Sequence, residues 1–308
     1  MPHRPRLPIS ARHAFALAFD LATRRDVLHS IVVPVLLRAP WIFAPTVIEY
    51  AMPRLERAQV LLVTAAAMLL DFVVFVVVSA MLRFRARSVF NTPAEVHPTP
   101  VAECYAQGLR RGPVLYLAEA LRNGALGIPL GIVFVPSFYL SDVPRLLMQV
   151  VIMVVLAAPL LYLGFKISMV TEIVVLRPSD PIRATERSFY LTEGRFERWL
   201  EMVAISVFLV VPVWFLMVVG FLAVPGSAWN TWLAVGTFLT VAIMPVIQYA
   251  WTFFYLRLEE IDPAAVSPAR GTAADPNLPP APWRERAAQP QLKLVELRRE
   301  DAEDDPDA

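Results

Sequence analysis

Apolar residues in this chain arrive in long blocks separated by short polar segments, and the blocks match the thickness of a bilayer better than the faces of soluble helices. Residues 60–82 are apolar except for Asp71 and a few small polar side chains, and residues 146–170 carry only Gln149 and Lys166 as strongly polar groups. Residues 200–224 are almost wholly apolar after Glu201, and residues 229–256 are apolar apart from Gln248 and scattered hydroxyl or amide groups. About 20 apolar residues in helical form cross a hydrocarbon layer of roughly 30 Å, so each block predicts a transmembrane helix. Pro159, Pro212 and Pro245 lie inside three of them and predict kinks, because neighbouring helices shield the carbonyls that proline leaves free.

Two further blocks are less clean. Residues 27–48 include Arg38, Pro34, Pro40 and Pro45; residues 113–140 begin with Glu119, Arg122 and Asn123 and contain Gly127 and Gly131 in a G-x-x-x-G spacing that lets helices approach closely. An arginine at the bilayer centre costs about 2.5–3.5 kcal/mol on insertion scales, so each block either crosses or re-enters. Charge placement decides for crossing. With six spans and the N-terminus inside, Arg4, Arg6, Arg12, Arg24, Arg25, Arg83, Arg85, Arg87, Arg110, Arg111, Arg177, Arg183, Arg187, Arg195 and Arg198 all face the cytoplasm, and only Arg54, Arg57 and Arg145 face outward. That positive-inside bias predicts a multi-pass protein of the inner (plasma) membrane with both termini cytoplasmic.

Composition agrees: 57% of residues are hydrophobic and 18% charged, against about 25% charged in soluble domains, and mean hydropathy is +0.54. The 28 basic and 27 acidic residues nearly cancel, which argues against a nucleic-acid partner. The sum hides unlike regions, since residues 259–308 form a proline-rich segment ending in the acidic run 300–307. It has too little apolar surface for a core and reads as a disordered cytoplasmic tail, with a short helical spacing over residues 292–299; the membrane domain is then residues 1–258. Cys104 is the single cysteine, so neither an intrachain disulfide nor a multi-cysteine metal site is expected. Residues 1–12 carry Pro2, Pro5, Pro8, Arg4, Arg6 and Arg12 without an apolar cleavage region, so no removable signal peptide is read there.

The polar segments ahead of the three helix pairs look alike. An aromatic residue stands six positions before an arginine in each: Phe19 before Arg25, Tyr105 before Arg111, Phe189 before Arg195. A leucine follows at Leu28, Leu115 and Leu200. Ala14, Phe15, Ala18 and Leu21 or Ala22 have helical spacing, which predicts an interfacial helix over residues 10–25. The fold expected is therefore all-α, a bundle of about six transmembrane helices arranged as three repeats of an interfacial helix plus a hairpin.

Signs of chemistry are few. His3, His13, His29 and His97 are scattered, and no zinc-protease, serine-hydrolase, phosphate-loop or dinucleotide motif is present, so no metal, cofactor or catalytic set is expected. Charged groups inside spans remain. Arg38 lies 11 residues from the inner end of its span and Asp71 lies 11 from that of the next; at about 1.5 Å per residue both sit near mid-membrane and are placed to pair. Such a pair serves either a substrate or proton site, or the packing of one hairpin, which is the simpler reading. Glu119, Arg122, Asn123, Lys166 and Glu172 form a second group at the inner leaflet, as an ion-pair cluster or as side chains reaching for headgroups. Arg24, Arg25, Arg110, Arg111, Arg195 and Arg198 are the candidates for contact with anionic lipid.

Residues 180–199 read DPIRATERSFYLTEGRFERW. Pro181, Ala184, Ser188, Leu191, Thr192 and Gly194 of this stretch resemble a motif of the membrane domain associated with bacterial glycerophosphoryl diester phosphodiesterases, and of related bacterial integral membrane proteins. Tyr249 to Arg257 also looks like that family's last helix. The resemblance implies a six-helix membrane module concerned with lipids or envelope organisation; the family's catalytic barrel has no counterpart here, so no catalytic residue is implied. In physical terms, Ser179 or Asp180 is placed to cap a helix whose first turn holds Pro181, and Gly194 to end it.

The expected function is that of a non-enzymatic membrane protein with a basic rim for anionic lipid headgroups. The alternative is a small transporter or channel using the intramembrane charges, and a third, weaker reading is a lipid-modifying enzyme using Glu119 or Asp71. A water-accessible cavity reaching Arg38 and Asp71 favours transport, and a closed interface favours the first reading.

Overall fold

Each apolar block forms a helix, and the polar residues between blocks set where helices begin and break. The computed structural model describes residues 10–51, 57–91, 98–134, 142–177, 179–224 and 229–261. The chain divides into two units, Met1–Ala265 and Val266–Ala308, and every described residue belongs to the first. The helices are α1 (Ala11–Asp20), α2 (Val33–Ala51), α3 (Arg57–Asn91), α4 (Val101–Phe134), α5 (Asp142–Lys166), α6 (Val170–Leu176), α7 (Pro181–Leu191), α8 (Phe196–Ala223) and α9 (Trp229–Ile261). No strand occurs among the described residues.

Five stretches are long and apolar enough to cross a membrane: Leu28–Ile48, Ala58–Asn91, Leu147–Leu176, Phe196–Ala223 and Trp229–Glu260. Their outer faces are those of a membrane protein. Phe208 on α8 is 75% exposed, Leu62 on α3 72% and Val154 on α5 71%, and these are three of many large apolar side chains that a soluble protein would bury. The helices run through Pro40 and Pro45 in α2, Pro113 and Pro129 in α4, Pro159 in α5, Pro212 in α8 and Pro245 in α9.

Several boundaries differ from the sequence reading. The helix expected over residues 10–25 is α-helical only to Asp20; wide π-helical turns follow at Leu21–Arg25 and Leu28–Val32, and Asp26 between them departs from helical geometry (φ −136°, ψ 21°). In the second polar segment the expected interfacial helix is not separate, because α4 runs unbroken from Val101 through Pro113, which no capping or glycine turn interrupts. The helix ending the membrane unit continues past residue 258 to Ile261, so Glu259 and Glu260 are helical and not part of a tail. The proposed disordered tail beyond that point and its short helix at 292–299 lie outside the described residues.

Close packing is concentrated at one end of the bundle. Ala11, Ala14, Phe15 and Ala18 of α1, residues of α3 from Val76 to Ala86, Val170 and the run Ile173 to Leu176 of α6, and residues of α9 from Val246 to Leu258 share one apolar core. The span begun by α5 is interrupted at Ile167–Met169, and the break is what lets α6 enter that core. Val170 N–H bonds to the Ile167 carbonyl, leaving the Lys166 carbonyl without its helical donor. Ser188 on α7 takes both loose ends: its hydroxyl donates to the Lys166 carbonyl at 2.6 Å and accepts from Met169 N–H at 3.1 Å.

The motif residues of α7 form its inward face. Pro181, Ala184, Ser188 and Leu191 are buried, and Thr192 donates to the Ser188 carbonyl at 2.8 Å. Asp180 caps the helix by accepting from Arg183 N–H at 2.9 Å, Pro181 occupies the first turn, and Gly194 takes the left-handed conformation (φ +69°) after the helix ends.

The close helix approach lies elsewhere than the G-x-x-x-G spacing implied. Among the described residues a Cβ at Gly127 or Gly131 would meet nothing within 4 Å, whereas one at Gly108 would stand 3.1 Å from the Val77 carbonyl oxygen and 3.2 Å from Met81 N. Backbone of α3 and α4 therefore touch at Gly108. Cys104, one turn away, is 1% exposed and burial pushes its thiol pKa up, so reaction with a fluorogenic maleimide reports unfolding. Gly108→Ala is expected to cost about 1–3 kcal/mol and bring Cys104 labelling to a lower temperature, with Gly127→Ala unchanged; equal midpoints for both would contradict the contact.

Candidate functional site

Arg83, Arg85 and Arg87 stand at alternate positions near the C-terminal end of α3. Successive residues of a helix point about 100° apart, so Arg83 and Arg87, four apart, share a face one turn from each other and both reach α6, while Arg85 points to the other side. Each one reaches a different polar cluster at the end of the bundle where α1, α6 and α7 pack.

Arg83 enters the core. It is 4% exposed and bonds through Nε to Glu172 Oε1 at 3.1 Å, through NH2 to Thr171 Oγ1 at 3.0 Å, and through NH1 to Ser79 Oγ. Thr171 donates in turn to Glu172 Oε2 at 2.8 Å. Glu119 of α4, 1% exposed, lies 4.0 Å from Arg83 NH2 and 2.6 Å from Arg122 NH2, oriented to pair charges without a hydrogen bond. Two guanidinium groups and two carboxylates thus balance, which buried ions require. Gln248 of α9 extends the cluster by donating to Ser79 Oγ at 3.0 Å.

Arg85 serves the break after α1. Asp26, 2% exposed, accepts at Oδ2 from Arg85 Nε at 3.1 Å, Tyr249 OH at 3.0 Å and Ser30 Oγ at 3.2 Å. Ser30 and Tyr249 hydroxyls are 2.5 Å apart, and Arg85 also donates to the Thr99 carbonyl at 2.8 Å. The carboxylate that leaves the helix at Asp26 is held by two other elements. Tyr105, on α4 close by, is pushed up to about 12 by burial and then by the charge of Asp26.

Arg87 donates to the Leu176 carbonyl at the end of α6, beside a cluster at the end of α9. There Glu259 pairs with Arg177, accepts from Tyr255 OH at 2.8 Å and lies 3.9 Å from Arg187 NH2. Burial, and next the charge of Arg177, lowers the Arg187 pKa.

Away from this end, Arg38 and Asp71 meet as a two-pronged pair, Nε to Oδ1 at 2.7 Å and NH2 to Oδ2 at 2.6 Å, with the Arg38 guanidinium over the Phe75 ring at 5.2 Å. A planar fork on a carboxylate is the strongest geometry such a pair adopts. Of the second predicted group, Glu119, Arg122 and Glu172 come together around Arg83. Asn123 is exposed and joins none of their bonds. Lys166 points elsewhere, lying between 5.6 and 5.8 Å from the rings of Tyr162, Phe165 and Phe189.

Among the proposed headgroup contacts, Arg24, Arg25, Arg110 and Arg198 are exposed, and Arg111 and Arg195 half-buried. Arg24 pairs with Asp20, Arg198 with Glu201, and Arg195 donates to the Leu191 carbonyl. No group of three histidine, cysteine, aspartate or glutamate side chains gathers as metal ligands among the described residues.

Sequence reasoning placed Arg83, Arg85, Arg87, Arg177 and Arg187 with the exposed basic rim and missed that they turn inward. One signal was available: Asp26, Glu119, Glu172 and Glu259 are carboxylates inside or beside apolar runs and need cationic partners.

Breaking one side of a buried pair leaves the other charge uncompensated at about 3–5 kcal/mol, whereas a surface pair contributes about 1 kcal/mol or less. Arg83→Gln is therefore expected to lower the Cys104 labelling midpoint strongly and Arg24→Gln hardly at all; equal effects would contradict the burial of Arg83. Compared with known protein families, curated proteins and solved structures, the chain matches none.

Proposed function

We propose that this is a six-span protein of the inner membrane that rests its arginine-rich end on anionic lipid headgroups and works by organising lipid, without catalysis. The sixth span is the later part of α4. At 34 residues α4 extends about 50 Å, and from Pro113 to Phe134 it supplies about 33 Å of the span expected over residues 113–140, with Arg110 and Arg111 ahead of it and Glu119 and Arg122 in its inner part. In this topology the end carrying α1, α6 and α7 is cytoplasmic. The three-unit repeat reads as α1 with α2–α3, the first turns of α4 with its remainder and α5, and α7 with α8–α9. Its support is that α1 and α7 are both short helices ahead of a pair of long ones. The likeness of the α7 motif to phosphodiesterase-associated membrane domains accords with a lipid-related role.

The observation that carries this reading is that Arg25, Arg110 and Arg111 have no carboxylate within 4 Å among the described residues, whereas the arginines of the core clusters all do or bond to backbone. Their charge is left for an outside anion. Beside Arg111 an open groove of about 520 Å³ is lined by Pro113, Val114 and Leu117 and by Ser179, Asp180 and Pro181, which supports its use as a seat for an apolar chain with the phosphate at Arg111. The transporter reading draws on Arg38 and Asp71, but the space beside Arg38 is about 10 Å³, which fits a closed interface better than a path for substrate.

Each near-surface arginine contributes about 1 kcal/mol toward anionic lipid. Native mass spectrometry of the full chain with equal phosphatidylglycerol and phosphatidylcholine is expected to retain the anionic lipid preferentially. Combined replacement of Arg25, Arg110 and Arg111 by Gln should reduce that preference by more than tenfold, each 1.4 kcal/mol being tenfold. Equal retention of the two lipids by the wild-type chain would refute the reading.

A further inference from the structure

Gln248 is 7% exposed, and its amide nitrogen is committed to Ser79, yet its carbonyl oxygen Oε1 receives no hydrogen bond. An unpaired buried carbonyl costs about 1–3 kcal/mol, so its surroundings bear on what satisfies it. It borders a cavity of about 10 Å³ between α2, α3 and α9, lined also by Pro34, Arg38, Val241, Met244 and Pro245. Arg38 and Val241 among the lining residues each have a polar group to spare. Arg38 gives Nε and NH2 to Asp71, which leaves NH1 outside the pair. Pro245 has no N–H, so the Val241 carbonyl one turn earlier lacks its helical donor.

We propose that this cavity binds a single water molecule that donates to Gln248 and to Val241 and accepts from Arg38. Size selects the ligand, because about 10–15 Å³ is what one water needs and two to four polar partners are what hold it. Charge selects it too: Asp71 already neutralises Arg38, so an ion entering here would come without a counter-charge, while a neutral molecule with both donors and an acceptor fits. The bound water makes one hydrogen-bonded chain of two sites that otherwise stand apart, from Asp71 and Arg38 through Gln248 and Ser79 to Arg83, and on through Thr171 to Arg122. Pro245 inside α9 then has a use, since it frees the carbonyl that the water satisfies. The inference does not depend on lipid binding at the basic end.

Radiolytic hydroxyl-radical labelling of the full chain in lipid nanodiscs tests it, because radicals formed from a held water oxidise the side chains beside it. Met244 lines the cavity; Met68, one turn before Asp71 on α3, is 64% exposed on the apolar outer surface and has the same intrinsic reactivity. Met244 is expected to be oxidised several-fold faster than Met68. Gln248→Leu should bring it down to the Met68 rate, and Gln248→Glu, which keeps an acceptor, should keep it fast. Met244 oxidised no faster than Met68 in the wild-type chain would overturn the proposal, as would a Met244 rate unchanged by Gln248→Leu; the wild-type ratio decides if a variant does not fold.

Discussion

Glu172 sits in a seven-residue helix every one of whose side chains is buried, and a carboxylate in such a place is tolerable only with a cation brought to it. Arg83 is that cation, and most of the bundle's end is arranged by the need to bring the two together. The break at Ile167–Met169 carries α6 inward; Ser188 on α7 satisfies the backbone groups that the break exposes; Thr171 and Ser79 each accept from one of the two terminal nitrogens of the guanidinium. The α7 motif is thus explained by packing, since its small and polar residues hold the turn that presents Glu172.

The same economy extends along α3. Arg83 and Arg87, one turn apart on one face, hold the start and the end of α6, and Arg85 on the other side holds Asp26, so a single helix ties α6 to the break after α1. Apolar surface faces outward and charge faces inward, the reverse of a soluble protein. In lipid there is little hydrophobic drive between helices, and packing and buried polar bonds must supply specificity. Gly108 contributes the first by letting α4 touch the α3 backbone, and the arginine clusters contribute the second.

How far these features were legible in the sequence depended on the range of the interactions that set them. The all-helical, membrane-crossing character follows from the length of apolar runs, which is local. Arg38 and Asp71 were placed together because both were counted from the same end of adjoining spans, so helical rise alone brought them level. The capping of α7 by Asp180, with Pro181 in its first turn and Gly194 beyond its end, is also local chemistry. Arg83 was not legible. Its position at the end of a span is equally suited to a headgroup, and its burial depends on α6 swinging inward at a lysine-isoleucine-serine-methionine stretch without glycine or proline. Gly127 and Gly131 show the converse, a motif whose spacing is right but which meets nothing within 4 Å among the described residues.

The central claim is that Arg83 and Glu172 act as one buried unit, and a double-mutant cycle measures this directly. Arg83→Met and Glu172→Leu, made singly and together in the full chain, separate the pair's coupling from the cost of each change. If the pair is a mutual necessity, each single variant loses about 3–5 kcal/mol and the double variant recovers much of that loss, because an apolar pair of similar volume replaces a buried ion pair at little cost. Losses that simply add in the double variant would contradict the account.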